Sequence, residues 1–192
     1  MVIAHLIGAG AAADVFLFAN RIPNFLRRLF AEGAFSQAFV PVLAEYQKSG
    51  DLSKTREFIG KVSGTLGGLV SIVTLLAMVG SPVVAAIFGM GWFTDWLNDG
   101  PDAHKFEQAS LLLKITFPYL WFVTFVALSG AILNTIGKFG VMSFSPVLLN
   151  IAMIATALFL APRLDNPDLA LAIGIFLGGL LPVSYTHLTL PT

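Results

Sequence analysis

Between its charged residues this chain carries uncharged runs long enough to cross a bilayer, and that constrains its fold more than anything else. Val62–Thr94 is uncharged between Lys61 and Asp95. Ile115–Gly137 is uncharged between Lys114 and Lys138, and Phe139–Pro162 between Lys138 and Arg163. Leu169 opens a further apolar run. A spanning helix needs about 20 predominantly apolar residues. None of the runs alternates with the period of two that a barrel strand shows. In lipid each backbone N–H and C=O must find its partner within the protein, which leaves helices. The expected class is all-α, a polytopic transmembrane helix bundle. Composition agrees: 11% of the 192 residues are charged, against about 25% in a soluble domain.

The connections hold the charge. Gln47–Lys61 carries Lys48, Lys54, Arg56 and Lys61. Gly89–Glu107 carries Asp95, Asp99, Asp102 and Glu107 against Lys105. The turn near Gly137–Met142 holds Lys138, and the next holds Arg163 with Asp165 and Asp168. Basic loops stay cytoplasmic. The 47–61 and 137–142 loops are therefore expected inside and the other two outside, alternating with each crossing. Ser53, with Arg56 and Glu57 after it, is a weak helix-start signal.

Small and aromatic residues suggest packing. Gly60, Gly64 and Gly68 recur every four residues, as do Gly174 and Gly178, a spacing that lets helices approach closely. Pro23, Pro41, Pro82, Pro118 and Pro146 fall in or near spans and are expected to kink them. Trp92, Phe93 and Trp96 read as interfacial anchors on a short amphipathic helix.

One segment departs from this pattern. Asp14–Tyr46 is apolar in bulk, yet it carries Asp14, Arg21, Arg27, Arg28 and Glu32. A charge at the bilayer centre costs about 2.5–3.5 kcal/mol on insertion scales, so such groups face a bundle interior or a wet cavity. At about 100° per residue, Asp14, Arg21, Arg28, Glu32 and Ser36 fall near one line, while Arg27 and Gln37 lie off it. Arg28 and Glu32 are spaced to pair directly. A guanidinium fork matches phosphate and keeps its charge when partly desolvated. The stripe therefore suits an anionic or phosphorylated substrate. A surface-lying amphipathic helix is the competing account. A structural ion pair is another, but it leaves Asp14 and Arg21 unexplained.

With no cysteine, disulfides, thiol catalysis and thiolate metal sites are excluded. His5, His104 and His187 have no metal-ligand spacing. No metal or other cofactor is expected. Formal net charge is +0, and nucleic acid is not an expected partner. Residues 1–182 read as a partial transmembrane lobe whose first helix is entered near its end. Val183–Thr192, VSYTHLTLPT, resembles a translated sequencing adaptor and reads as a non-native tail.

The string RIPNFLRRLFAEGAFSQAFVPVLAEY closely resembles the MurJ (MviN) family of lipid II flippases, within the multidrug, oligosaccharidyl-lipid and polysaccharide exporter superfamily. LLKITFPYL, SGAILNTIGKF and FSPVLLNIAMIATALF follow in the family's order. The resemblance implies a fourteen-helix parent, of which this chain supplies the N-terminal lobe from the end of helix 1 through part of helix 6. It implies alternating-access flipping of lipid II, an undecaprenyl-diphosphate-linked muropeptide, across the bacterial inner membrane as a multi-pass protein. Its partners would be lipid II, membrane lipids and the remaining helices of the parent. It implies cavity or gate positions at Asp14, Arg27, Arg28 and Glu32; Arg21 joins them from the helical wheel alone. A flippase changes no covalent bond, so no enzyme activity is expected. The alternatives are an exporter of another lipid-linked oligosaccharide or small solute, a membrane enzyme acting on a prenyl diphosphate, and a structural scaffold.

Overall fold

The computed structural model of the chain describes residues 10–28, 34–135, 137 and 140–189, with side chains described except at 26–27, 34–36, 140–143, 145 and 185–189. Every regular element among the described residues is helical. In chain order they are α1 (Ala11–Arg27), α2 (Ala34–Lys48), α3 (Leu52–Val79), α4 (Ser81–Phe88), α5 (Met90–Leu97), α6 (Ala103–Thr116), α7 (Pro118–Thr135), α8 (Gly140–Ala155) and α9 (Pro167–Thr189). A π turn, Thr156–Leu160, and a 3₁₀ turn, Ala161–Arg163, extend α8. Four stretches are long and apolar enough to cross a membrane: Leu52–Val79, Ala103–Thr135, Pro146–Arg163 and Pro167–Ser184.

The α6–α7 rod is the axis of the lobe. Pro118 lacks an N–H, and the joint at Phe117 is held by its own amide, which donates to the Leu113 carbonyl at 2.9 Å. Helix α1 packs on α6, α2 and α3 on α7, α4 and α5 on α6, and α9 on α6, α7 and α8. Val15, Phe16 and Ala19 of α1 share a core with Leu112, Leu113 and Phe117. Phe39 and Leu43 of α2 share a second core with Leu128 and Ala131. Lipid is as apolar as these side chains, so close van der Waals fit and interhelical hydrogen bonds must hold the helices together. One such bond runs from Trp121 Nε1 to Ser71 Oγ at 2.8 Å.

The two ends of the lobe separate as the loop charges predict. Asp14, Lys105 and Asp168 meet neighbouring elements at one end, where Gln108 Nε2 donates to Asp168 Oδ2 at 2.5 Å. At the other, Gln47 Nε2 donates to Thr135 Oγ1 at 2.9 Å. The 47–61 connection and the end of α7 therefore lie together, away from the starts of α1, α6 and α9. Lys138 lies outside the described residues.

Several expectations need correction. The run Val62–Thr94 is not one span. It ends at Val79, where Gly80 donates to the Leu76 and Met78 carbonyls, and Pro82 sits in the first turn of a new helix. The start of α3 is capped by Asp51 rather than signalled by Ser53: its carboxylate accepts the Ser53 and Lys54 amides at 3.1 Å each. The two glycine series behave oppositely. A Cβ at Gly174 would stand 2.3 Å from Thr156 Oγ1, and one at Gly178 would stand 2.3 Å from Leu149 Cδ1 and 3.2 Å from Leu149 Cα. Close approach of α9 to α8 thus requires both glycines. Gly60, Gly64 and Gly68 have nothing within 4 Å of such a carbon; the adjacent Gly67 is the one that faces Phe125. The short helix expected around Trp92, Phe93 and Trp96 is α5, and its aromatics cover α1 and α6. The Trp92 ring lies 5.1 Å from Phe18, and Phe93 and Trp96 each lie 5.3 Å from Phe106.

Candidate functional site

Helix α1 buries one face and exposes the other. Val15, Phe16 and Ala19 are buried against the lobe. Asp14, Arg21 and Arg28 are exposed, as the wheel requires. At about 1.5 Å per residue the three charges extend over about 21 Å, much of a hydrocarbon core about 30 Å thick. Leu17 and Phe25 are exposed on the same face, so apolar side chains interrupt the stripe. Asn24, i,i+4 from Asn20, donates from Nδ2 to the Asn20 carbonyl at 2.9 Å and to Asn20 Oδ1 at 2.8 Å. That pair adds a neutral polar element flanking the charges.

The cation that meets Asp14 is Lys105 of α6. Its ammonium lies 3.7 Å from Asp14 Oδ2 and 3.0 Å from Asp102 Oδ1, and 5.9 Å from the centre of the Trp92 ring. The Lys105 side chain is 14% exposed and that of Asp14 63%. One lysine thus ties the start of α1 to α5 and α6. Sequence spacing paired only Arg28 with Glu32 and offered Asp14 no partner. A lysine ninety-one positions away has no local signal that could select it. Among the described residues no carboxylate lies within 4.0 Å of Arg21 or Arg28. Among the described residues, then, nothing neutralises either guanidinium on the exposed face.

The side chain of Arg27 and all of Glu32 lie outside the described residues, as does the Arg28–Glu32 pairing. Ser36 has a described backbone only, and Gln37 is exposed on α2. Asp168 is fully buried, held by Gln108 and by the Leu169 amide at 3.0 Å. It is a structural tie that the sequence presented only as loop charge. Among the described residues no cluster of His, Asp and Glu could hold a metal ion.

A family profile described as "Lipid II flippase MurJ" matches residues 3–189. A Haemophilus influenzae protein described as "Probable lipid II flippase MurJ" is 93% identical over 181 residues, covering 94% of this chain and 36% of that protein. A Burkholderia cenocepacia protein described as "Lipid II flippase MurJ" is 38% identical over 179 residues, covering 93% of this chain and 33% of its own. Among solved structures, "Lipid II flippase MurJ, inward closed conformation" superimposes with a TM-score of 0.68 at 25% identity, covering 96% of this chain and 37% of the other. The chain therefore spans about a third of the length of the curated relatives it matches.

Proposed function

The chain belongs to the lipid II flippase MurJ family, and we propose that it forms the N-terminal lobe of a protein that flips lipid-linked peptidoglycan precursor across the bacterial inner membrane by alternating access. The observation supporting this is the exposed line of Asp14, Arg21 and Arg28 on a helix packed along the membrane-spanning α6–α7 rod. Facing lipid, each of those charges would cost several kcal/mol. Facing a wet cavity completed by the parent's remaining helices, they would not. Arg21 and Arg28 then meet the diphosphate, whose oxygens accept two parallel N–H bonds from each guanidinium. Arg27 and Glu32 are carried as cavity or gate positions from the family resemblance.

Asp14 acts at the gate through Lys105. The Asp14–Lys105 contact is long, at 3.7 Å, and Asp14 stands largely in solvent that screens it, so the contact is easily exchanged when the lobe changes state. Weakness suits a gate: a substrate can bias two states only by its differential affinity for them. No bond is made or broken, so the role is transport rather than catalysis, with lipid II and membrane lipids as its partners. Residues 1–182 supply the lobe and 183–192 form a foreign tail; sequencing the parent gene across that junction tests this assignment.

Arg28→Ala in the full-length parent tests the stripe. Expected is failure to complement a flippase-depleted strain at normal protein level in the membrane. Normal growth would remove Arg28 from the substrate path.

A further inference from the structure

We propose a second lipid site, for a bilayer glycerophospholipid, on the side of α6 opposite α1. A cavity of about 700 Å³ opens there between the end of α3, α4, α5 and α6. Its walls are mostly apolar: Met78, Pro82, Val83, Ile87, Phe93 and Leu111. Into it α6 presents a polar line, Glu107, Ser110 and Lys114, spaced i, i+3 and i+7.

The position of Lys114 points to the occupant. It stands nine residues after Lys105, and nine steps of about 100° amount to half a turn. Lys105 faces Asp14 on α1. Lys114 therefore faces away from the Asp14–Arg21–Arg28 stripe, toward the lobe's outer flank. Val79, Val83, Ile87 and Leu111 are all exposed on that flank. Lys114 is exposed too, well inside the Ala103–Thr135 span, about 16 Å along the rod from Ala103. Among the described residues no carboxylate lies within 4.0 Å of it. Glu107 is two turns away, about 10 Å along the axis, and accepts from Trp96 Nε1 at 3.1 Å.

A lysine side chain at this depth reaches toward a polar layer or meets an anion. The abundant anion on a lipid-facing flank is the phosphodiester of a phospholipid. Its phosphate sits at Lys114. Its glycerol esters lie near the hydroxyls of Ser81 and Ser110, which are 3.4 Å apart. Its acyl chains run over the apolar walls and the exposed Ile72, Leu75 and Leu76 of α3. Charge complementarity and apolar walls together select a lipid over a soluble anion. The site shares no residue with the stripe, but its lipid-facing placement rests on the reading that the stripe faces the transport cavity.

The test is native mass spectrometry of the full-length parent with phosphatidylglycerol, comparing Lys114→Met, Lys114→Arg and Val83→Trp. Expected is a drop in retained lipid of roughly tenfold or more for Lys114→Met, which loses a charge-assisted bond to phosphate. Lys114→Arg should hold the lipid, and Val83→Trp, which fills the cavity with the charge intact, should lose it. Equal lipid retention by wild type, Lys114→Met and Val83→Trp would overturn the proposal. So would displacement of the lipid by inorganic phosphate alone. Complementation by Lys114→Met alongside failure by Arg28→Ala would separate this site from the transport stripe.

Discussion

The two glycine series make the packing argument measurable. Gly178→Ala places a methyl 3.2 Å from Leu149 Cα and 2.3 Å from Leu149 Cδ1. The side-chain atom can rotate away, but the backbone carbon cannot, so α8 and α9 must part by a few tenths of an ångström. Overpacking of this kind costs about 1–3 kcal/mol. Alanine also gains up to about 1 kcal/mol of helix propensity over glycine, which would mask part of that cost. Gly64→Ala removes the ambiguity: it brings the same propensity gain into open space on α3. The difference between the two variants is then the packing term, about 1–3 kcal/mol, or about 5- to 150-fold in the unfolding equilibrium constant. Reversible unfolding of the full-length parent in detergent, by steric trapping or denaturant titration, measures both. Agreement between the variants within about 0.5 kcal/mol, or greater stability for Gly178→Ala, would refute the assigned α8–α9 contact.

Two further outcomes are expected. The Lys54 amide and ammonium, with the Ser53 amide, hold the Asp51 carboxyl below its ordinary value of 3.8. A depressed carboxylate stabilises the fold at pH above the unfolded value, and that contribution fades as pH falls through the folded one. Hydrogen exchange at the Ser53, Lys54 and Thr55 amides should therefore quicken in Asp51→Ala at pH 7, and in wild type only below about pH 4; pH-independent protection would contradict it. At the Asp14 end, Lys105→Met and Asp14→Asn should each widen the spin-label distance between α1 and α5, and the double variant should widen it no further. Fully additive shifts would show that the two side chains act separately.

The helical class, the existence of spans and the charged face of α1 were legible because they rest on local periodicity. Asp14, Arg21 and Arg28 share a line at 100° per residue whatever α1 packs against, and their exposure follows from burying the apolar side. The short helix at Trp92–Trp96 followed from the same local pattern. The end of α3 was less legible, because hydropathy runs unbroken through Gly80 and only backbone geometry breaks the helix. Asp51 was passed over because a single cap residue has little effect on a window of hydropathy.

What the sequence alone determined is therefore which faces exist: a polar line on α1, apolar stretches of spanning length, and basic loops alternating with acidic ones. Tertiary structure decided what each face meets. It paired Asp14 with Lys105 across ninety-one positions, and buried Asp168 beneath Gln108. It also turned Gly174 and Gly178 inward while leaving Gly60, Gly64 and Gly68 open. Periodicity sets a side chain's angle about its own helix, but says nothing of how that helix is rotated against its neighbours. Only the simultaneous packing of several helices fixes that rotation.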